Sequence, residues 1–336
     1  MKAIRLEFFE APWGEVAQRG IDAIDAGRRA HGLTPRSSDL WSWRGAQPGG
    51  ALLGVAWNGD RVAAAMVALR REVLLEGAPS SWLEVVDVFN DFEAGAGLVR
   101  STAYLELGRA FAKELGGRAP EMCPVMYGFP NRRAHRIGLA RLGYEVLRSE
   151  NVLVADPDTY VSKPDSGVDV AEVAEFPADV GALFERVASG RGAIGVRTQA
   201  WLDWRFVRHP SLDYRIAVAR REGKLCGYLV QRRGNYAGHE GGVLADWMVP
   251  TDDPGAAWEL LTWAGQVVRE EGGRSLVINV PDRQRASAPG RTCGGGTSSR
   301  SSFWPQSLST RAIRRVANVK ALNTMTLSSA PFGPWR

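Results

Sequence analysis

The stretch from Trp82 to Tyr144 constrains this chain more than any other. It opens on an apolar run rich in β-branched residues, Trp82-Leu-Glu-Val-Val-Asp-Val-Phe-Asn90, which reads as a buried strand. A short loop follows, Asp91-Phe-Glu-Ala-Gly95-Ala-Gly97, and then a helical pattern from Leu98 to Leu115. Gly95 and Gly97 carry no side chain, so backbone there is able to approach a ligand closely. The first amides of a helix lack intrahelical partners, and its dipole favours negative charge at that end. Strand, glycine loop and helix N-terminus together form an anion site suited to a pyrophosphate. Tyr104, Leu107, Phe111 and Leu115 share one helical face, and Gly116-Gly117 stops the helix. A second buried run, Cys123-Pro-Val-Met-Tyr-Gly-Phe129, enters Pro130-Asn131 and a further helix that closes on Leu142-Gly143-Tyr144.

Other nucleotide sites fit less well. There is no Gly-x-x-x-x-Gly-Lys-[Ser/Thr], the third glycine of a Gly-x-Gly-x-x-Gly pattern would be Arg100, and kinase motifs are absent. A tight strand-to-helix turn without a ligand also uses Gly-x-Gly. The order of the whole stretch resembles the GNAT superfamily of acyl-CoA-dependent N-acetyltransferases. There a strand, a loop of type [Gln/Arg]-x-x-Gly-x-[Gly/Ala], a helix, a second strand and an Asn-led helix ending in Gly-Phe or Gly-Tyr follow one another. The matching residues are Phe92-Glu-Ala-Gly95-Ala-Gly97, Tyr127-Gly-Phe-Pro-Asn131 and Leu142-Gly143-Tyr144. Phe92 departs from the pattern, which has Gln or Arg there.

The resemblance implies acetyl-CoA as co-substrate and an amine, small molecule or peptide, as acceptor. It implies that backbone amides near Val88 and Phe89 hold the acetyl carbonyl. Amides of Gly95, Ala96, Gly97, Leu98 and Val99 would hold the pyrophosphate, and Asn131 would lie near the pantetheine arm. For the catalytic base, Glu84 and Asp87 are the candidates, as carboxylates inside an otherwise apolar strand. Strict alternation puts them on opposite faces, and Glu84 has the spacing before the loop that the resemblance favours. The resemblance also expects a tyrosine seven residues after the Asn as general acid. That position is Gly138, which leaves His135 or Tyr127 as substitutes. A solvated His135 on an Arg-rich helix and a structurally paired Glu84 are the plainer readings of the same residues.

The fold class expected is α/β, with a mixed sheet in each of two tandem GNAT folds: mostly antiparallel strands and helices on both faces. Residues 1–155 form the acyl-CoA-binding domain. Ile4–Phe9 reads as a strand, Gly14–His31 as a helix, and Ser38-Asp39 as the start of a short helix carrying Leu40, Trp41 and Trp43. Asn58-Gly59-Asp60 joins the strands Ala51–Trp57 and Val62–Leu69 as a hairpin. Leu147–Ala155 reads as the last strand of this half.

Residues 168–282 repeat the order as a degenerate second domain. Its loop at the phosphate position, Pro250-Thr-Asp-Asp-Pro-Gly255, carries two carboxylates that repel an anion, so no CoA is expected there. Residues 283–336 are a basic, irregular tail that reads as an arm for an acidic partner, as disordered, or as the product of a shifted reading frame. They hold eight Arg, one Lys and no Asp or Glu, which is +9, against +5 for the whole chain. The folded body is therefore 5 − 9 = −4, which argues against nucleic acid as its partner.

No apolar run approaches the ~20 residues of a membrane helix, and no signal-peptide core opens the chain. Three cysteines without CxxC spacing point to a reducing cytoplasm, and four scattered histidines to no metal site. Two rival functions remain. A Fem-type aminoacyltransferase also uses two such halves, but would carry a coiled-coil arm, and no heptad run occurs. A non-catalytic GNAT-like binding protein is the second, favoured by Phe92 and Gly138.

Overall fold

The computed structural model describes residues 4–30, 32–91, 99–117, 122–148, 150–162, 166–236, 238–281, 313–315 and 324–328. In chain order the elements are β1 (Arg5–Glu10), α1 (Glu15–Ala30), α2 (Ser38–Gly45), β2 (Ala51–Asn58), β3 (Arg61–Leu75), β4 (Ala78–Asn90), α3 (Val99–Leu115), β5 (Val125–Gly128), α4 (Arg132–Arg141) and β6 (Tyr144–Arg148). They continue as β7 (Glu150–Ala155), β8 (Asp169–Val173), α5 (Val180–Ala188), β9 (Ala193–Gly195), α6 (Gln199–Leu202), β10 (Arg215–Arg221), β11 (Lys224–Tyr236), β12 (His239–Met248), α7 (Pro254–Glu270), β13 (Ser275–Pro281), β14 (Ile313–Arg315) and β15 (Thr324–Ser328). The chain divides into two compact units, residues 1–147 with 321–336, and residues 148–320.

The sheet of the first unit runs β1-β2-β3-β4-β5-β15-β6. Its first four strands are antiparallel neighbours, β4 and β5 are parallel, and β15 is antiparallel to β5. The expected hairpin between β2 and β3 forms, with Asn58 paired to Arg61 and Gly59 in the left-handed region at φ 62°. β2 and the first half of β3 are buried on both faces, so they read as continuous apolar runs. One face packs on α3 through Leu107 and Phe111, which meet Met66, Leu83 and Met126. The Phe111 ring lies against Gly54, where an added Cβ would stand 2.2 Å from it. The opposite face packs on α1 through Ala17, Ile21 and Ile24, which meet Leu53, Val55, Trp57 and Val67.

The second unit repeats the plan as β14-β7-β13-β12-β11-β10-β8. Strands β8, β10, β11 and β12 are antiparallel, β12 and β13 are parallel, and β7 is antiparallel to β13. Glu222 and Gly223 both take positive φ in the β10–β11 turn, the geometry that suits a two-residue hairpin. Helix α7 buries Leu260, Leu261, Ala264 and Val268 against Ala217, Leu229, Leu244 and Leu276. Asp253 caps it, accepting from the Ala256 amide at 2.9 Å and from Arg221 at 2.9 Å. A carboxylate thus occupies the helix end where an anion would otherwise sit.

Two expectations are corrected here. The strand Leu147–Ala155, assigned from sequence to the first domain, is split: β6 stays with the first sheet, while β7 pairs with β13 in the second. The second unit accordingly starts at Arg148 and not near residue 168. The tail, read as irregular, contributes two short strands. β14 pairs with β7, and β15 fills the place beside β5, so β5 is not left as an open edge. The rest of 282–336 lies outside the described residues.

Tyr228 is buried in the second unit and donates to Asp246 Oδ2 at 3.1 Å, where Arg197 also donates at 2.9 Å. Burial, then the Asp246 charge, pushes the Tyr228 hydroxyl well above the ordinary tyrosine range. A raised folded-state value gives stability that is present below the unfolded value, near 10, and lost as pH rises beyond it. The melting temperature is therefore expected to hold to about pH 10 and to fall above it. Tyr228→Phe should lose about 1 kcal/mol at neutral pH and show a shallower alkaline fall. Equal alkaline slopes in the two proteins would refute the assignment.

Candidate active site

The site is built on β4. Against β3, Leu69 stands opposite Glu84 and Val67 opposite Asp87, with a register shift that leaves one extra residue on β4. This β-bulge resets the alternation. Glu84 and Asp87 consequently lie on the same face of the sheet, the α1 face, because Leu69 and Val67 are two apart. The sequence expectation of opposite faces fails for that reason: strict alternation holds only in an unbroken strand.

β4 and β5 pair only from Leu83–Val85 to Met126–Gly128. Gly128 permits the contact, since a Cβ there would stand 2.9 Å from the Val85 carbonyl oxygen. Beyond it the strands separate around a cleft of about 220 Å³. Val86, Asp87 and Val88 line one side and Tyr127, Phe129 and Asn131 the other. Tyr104 of α3, Ala134 of α4 and Tyr144 of β6 complete the wall. A bulge beside separating strands turns backbone groups of β4 toward the cleft and away from the sheet ladder.

The candidate residues divide by position. Asp87 lines the cleft, is 8 % exposed, and is held from behind. Arg36 donates to it from Nε at 3.2 and 3.1 Å and from Nη2 at 2.7 Å, and Arg44 forms an ion pair with its other oxygen. Arg44 is itself buried, and that burial, followed by the charges of Arg36 and Arg28, pushes its guanidinium down to about 9. It remains a cation at neutral pH. Asp25 accepts from the Arg36 amide at 3.0 Å and from the Trp41 indole at 2.8 Å, so Trp41 is a packing residue with a satisfied N–H.

Glu84 does not line the cleft. Its Oε2 accepts from Arg71 Nε at 2.7 Å and from the Tyr127 hydroxyl at 3.5 Å, and Tyr127 does line it. Val88 faces the cleft and is 45 % exposed. The Phe89 ring turns the other way, onto the α1 face, where it meets Gly27. Asn131 lines the cleft and caps α4, its Oδ1 accepting from the Ala134 amide at 2.9 Å. His135 is half-buried on α4 and does not line the cleft. The loop residues Gly95, Ala96, Gly97 and Leu98 lie outside the described residues, as does the side chain of Val99, the first residue of α3.

Sequence reasoning missed two residues. Tyr104 was read as a core position and Tyr144 as a helix-stop signal. Both line the cleft, and burial pushes both hydroxyls above the ordinary tyrosine range. At Gly138, where a tyrosine was expected, the Tyr144 ring fills the space: a Cβ there would come within 2.0 Å of it. The signal available was the pairing of a missing side chain at 138 with a large one six residues on. Among the described residues no group of three or more His, Cys, Asp and Glu is placed to hold a metal, and no helix is long and apolar enough to cross a membrane.

The architecture has counterparts among solved structures. A GCN5-related N-acetyltransferase from Anabaena variabilis matches over 97 % of this chain and 73 % of its own, with TM-score 0.64 and 11 % identity. A probable N-acyltransferase of unknown function from Enterococcus faecalis matches over 83 % of this chain and 66 % of its own, with TM-score 0.60 and 15 % identity. A tandem GNAT protein from the clavulanic acid biosynthesis pathway matches over 83 % and 91 %, with TM-score 0.50 and 14 % identity. No family model and no curated protein sequence matches. The chain thus spans about two thirds of the Enterococcus faecalis structure. The chain shares its fold with these solved structures, with mixed sheets in both units.

Proposed function

We propose that this protein is an acyl-CoA-dependent N-acyltransferase that moves an acetyl group from acetyl-CoA to an amine, with its active site in the first unit. The observation that carries the reading is the cleft opened where β4 and β5 separate, beside a β-bulge. Amides near Val88 and Phe89 polarise the thioester carbonyl, which is where negative charge develops during attack. Gly95, Ala96, Gly97, Leu98 and Val99 offer amides to the pyrophosphate. Asn131 borders the pantetheine arm. Glu84 takes the acceptor's proton, with Tyr127 bridging it to the cleft. Asp87 anchors the wall, because both of its oxygens are engaged by arginines. Cys123 and Cys226 are unpaired, which fits a cytoplasmic protein.

A non-catalytic acyl-CoA-binding protein is the second reading. The arginine contacts on both Asp87 and Glu84 favour it, since they engage the two carboxylates nearest the cleft. The first test is a thermal titration with acetyl-CoA. At ~100 times the dissociation constant a ligand adds about 2.7 kcal/mol of stability. A saturable rise in melting temperature is expected for the native chain and none for Gly97→Glu, which sets a carboxylate against the phosphates. Absence of any rise at millimolar acetyl-CoA would defeat both readings. A rise without acyl transfer to any amine of a broad panel would select the second.

A further inference from the structure

We infer that the second unit holds a binding groove of its own, for an organic ammonium ion, between the end of β8 and the turn that follows α6. The inference does not rest on the acyl-CoA reading, because no residue of the first unit takes part in it.

The groove has a volume of about 380 Å³. Three segments build it: Glu172 and Val173 at the end of β8, Phe206 and Val207 after α6, and Asp213 and Tyr214 before β10. The chain after α6 does not continue as an α-helix. Asp203–Val207 form a π-helical turn, which the Arg208 amide closes by donating to the Asp203 carbonyl at 2.8 Å. Turns of this width are rare and concentrate at functional sites. Here the turn presents Phe206 and Val207 to the groove.

Aromatic rings and carboxylates set its chemistry. Phe206, His209 and Tyr214 line the groove, with Tyr214 edge-on to Phe206 at 5.1 Å between centroids and to His209 at 5.9 Å. The faces of such rings attract cations. The Arg205 guanidinium already lies over Phe206 at 5.3 Å and over Tyr214 at 5.8 Å, yet does not line the groove. Arg215 holds Glu172 by bonds of 2.9 and 2.5 Å, so the exposed Asp213 is the carboxylate left to meet a ligand's charge. No lysine or arginine is among the lining residues, so a cation entering the groove meets no like charge in its wall. Leu212 and Ile216, with Val207, give apolar surface for alkyl groups. Rings, apolar surface and one unengaged carboxylate suit an organic ammonium ion better than a bare metal ion, which needs several oxygen or nitrogen ligands at once.

The test uses the full chain without CoA. Choline is the probe: it is a quaternary ammonium ion with no N–H, so it cannot serve as an amine acceptor in the first unit. Its neutral carbon isostere, 3,3-dimethylbutan-1-ol, is the control for shape and apolar contact. Saturation-transfer NMR titrations measure both. The expected result is saturable choline binding in the millimolar range and about tenfold weaker binding of the alcohol. Asp213→Asn should weaken choline about tenfold, leave the alcohol unchanged, and so abolish the discrimination. Asp213 is exposed, so this variant is expected to fold, and an unchanged melting temperature checks that it does. Tyr214→Leu should also weaken choline, by about fivefold, through loss of a ring face. Equal affinity for choline and the alcohol would overturn the inference. So would discrimination that survives Asp213→Asn, which would place the cation elsewhere, or no saturation by about 100 mM choline. Each of these results leaves the acyl-CoA reading untouched, and failure of acetyl-CoA to bind leaves this inference untouched.

Discussion

Asp87→Ala is expected to lower the unfolding free energy of the first unit by about 3 kcal/mol or more. The side chain is buried, and so is that of Arg44, while Arg36 is about one-fifth exposed. Removing the carboxylate leaves two guanidinium groups close together in a low-dielectric wall, without the carboxylate that both of them contact and with Asp25 and Glu84 as the counter-charges nearby. Arg44 already carries the cost of burial and of the like charges on Arg36 and Arg28, as its depressed guanidinium value records. The penalty is thus the desolvation of stranded cations and not the mere absence of one attractive pair. Urea unfolding measures it. The matching test is Arg44→Met on the Asp87→Ala background, which removes one stranded cation and should recover a large part of the loss. A cost under 1 kcal/mol for Asp87→Ala would mean that the network behaves as an exposed ion pair. It would also reopen Asp87 as the general base.

Glu84→Gln is expected to reduce acetyl transfer by a factor of 100 or more, while acetyl-CoA still binds and still raises the melting temperature. Glutamine has the shape of glutamate and keeps a hydrogen bond to Arg71, so the change isolates the loss of basicity. The measurement is the release of CoA thiol with an amine accepted by the native protein. Retained binding with lost turnover assigns the proton to Glu84. Unchanged turnover would remove Glu84 from the chemistry and leave solvent or Tyr127 to carry the proton. A parallel loss of binding would show that Glu84 shapes the cleft through Arg71 and Tyr127 instead.

Much of this architecture was legible because it depends on short-range signals. The Asn58-Gly59-Asp60 turn, the apolar runs of β2 and β4, the helix stop after Leu115 and the Asn131 cap each act within a few residues. The two-unit plan also followed from the repeated order of elements. Asp253 at the start of α7 is a helix cap, acting on the Ala256 amide three positions on, a role the sequence reading of this loop did not name.

The site depended on longer-range facts. A single extra residue in β4 moved Asp87 onto the face of Glu84, and no local pattern announces a bulge that is defined by its partner strand. Arg36 and Arg44 reach Asp87 from helix-side segments about fifty and forty residues earlier, so the engagement of this carboxylate was decided by tertiary contact. Leu147–Ala155 was split between two sheets because strand pairing is a choice among distant partners, and an apolar run does not specify which sheet it joins. Tyr144 reached the cleft for the same kind of reason: Gly138 left a gap that only packing of β6 against α4 could fill. The sequence by itself determined which segments form strands and helices. The tertiary structure decided which arginines hold Asp87 and Glu84 and which residues line the cleft, because those properties belong to residues that the chain brings together only on folding.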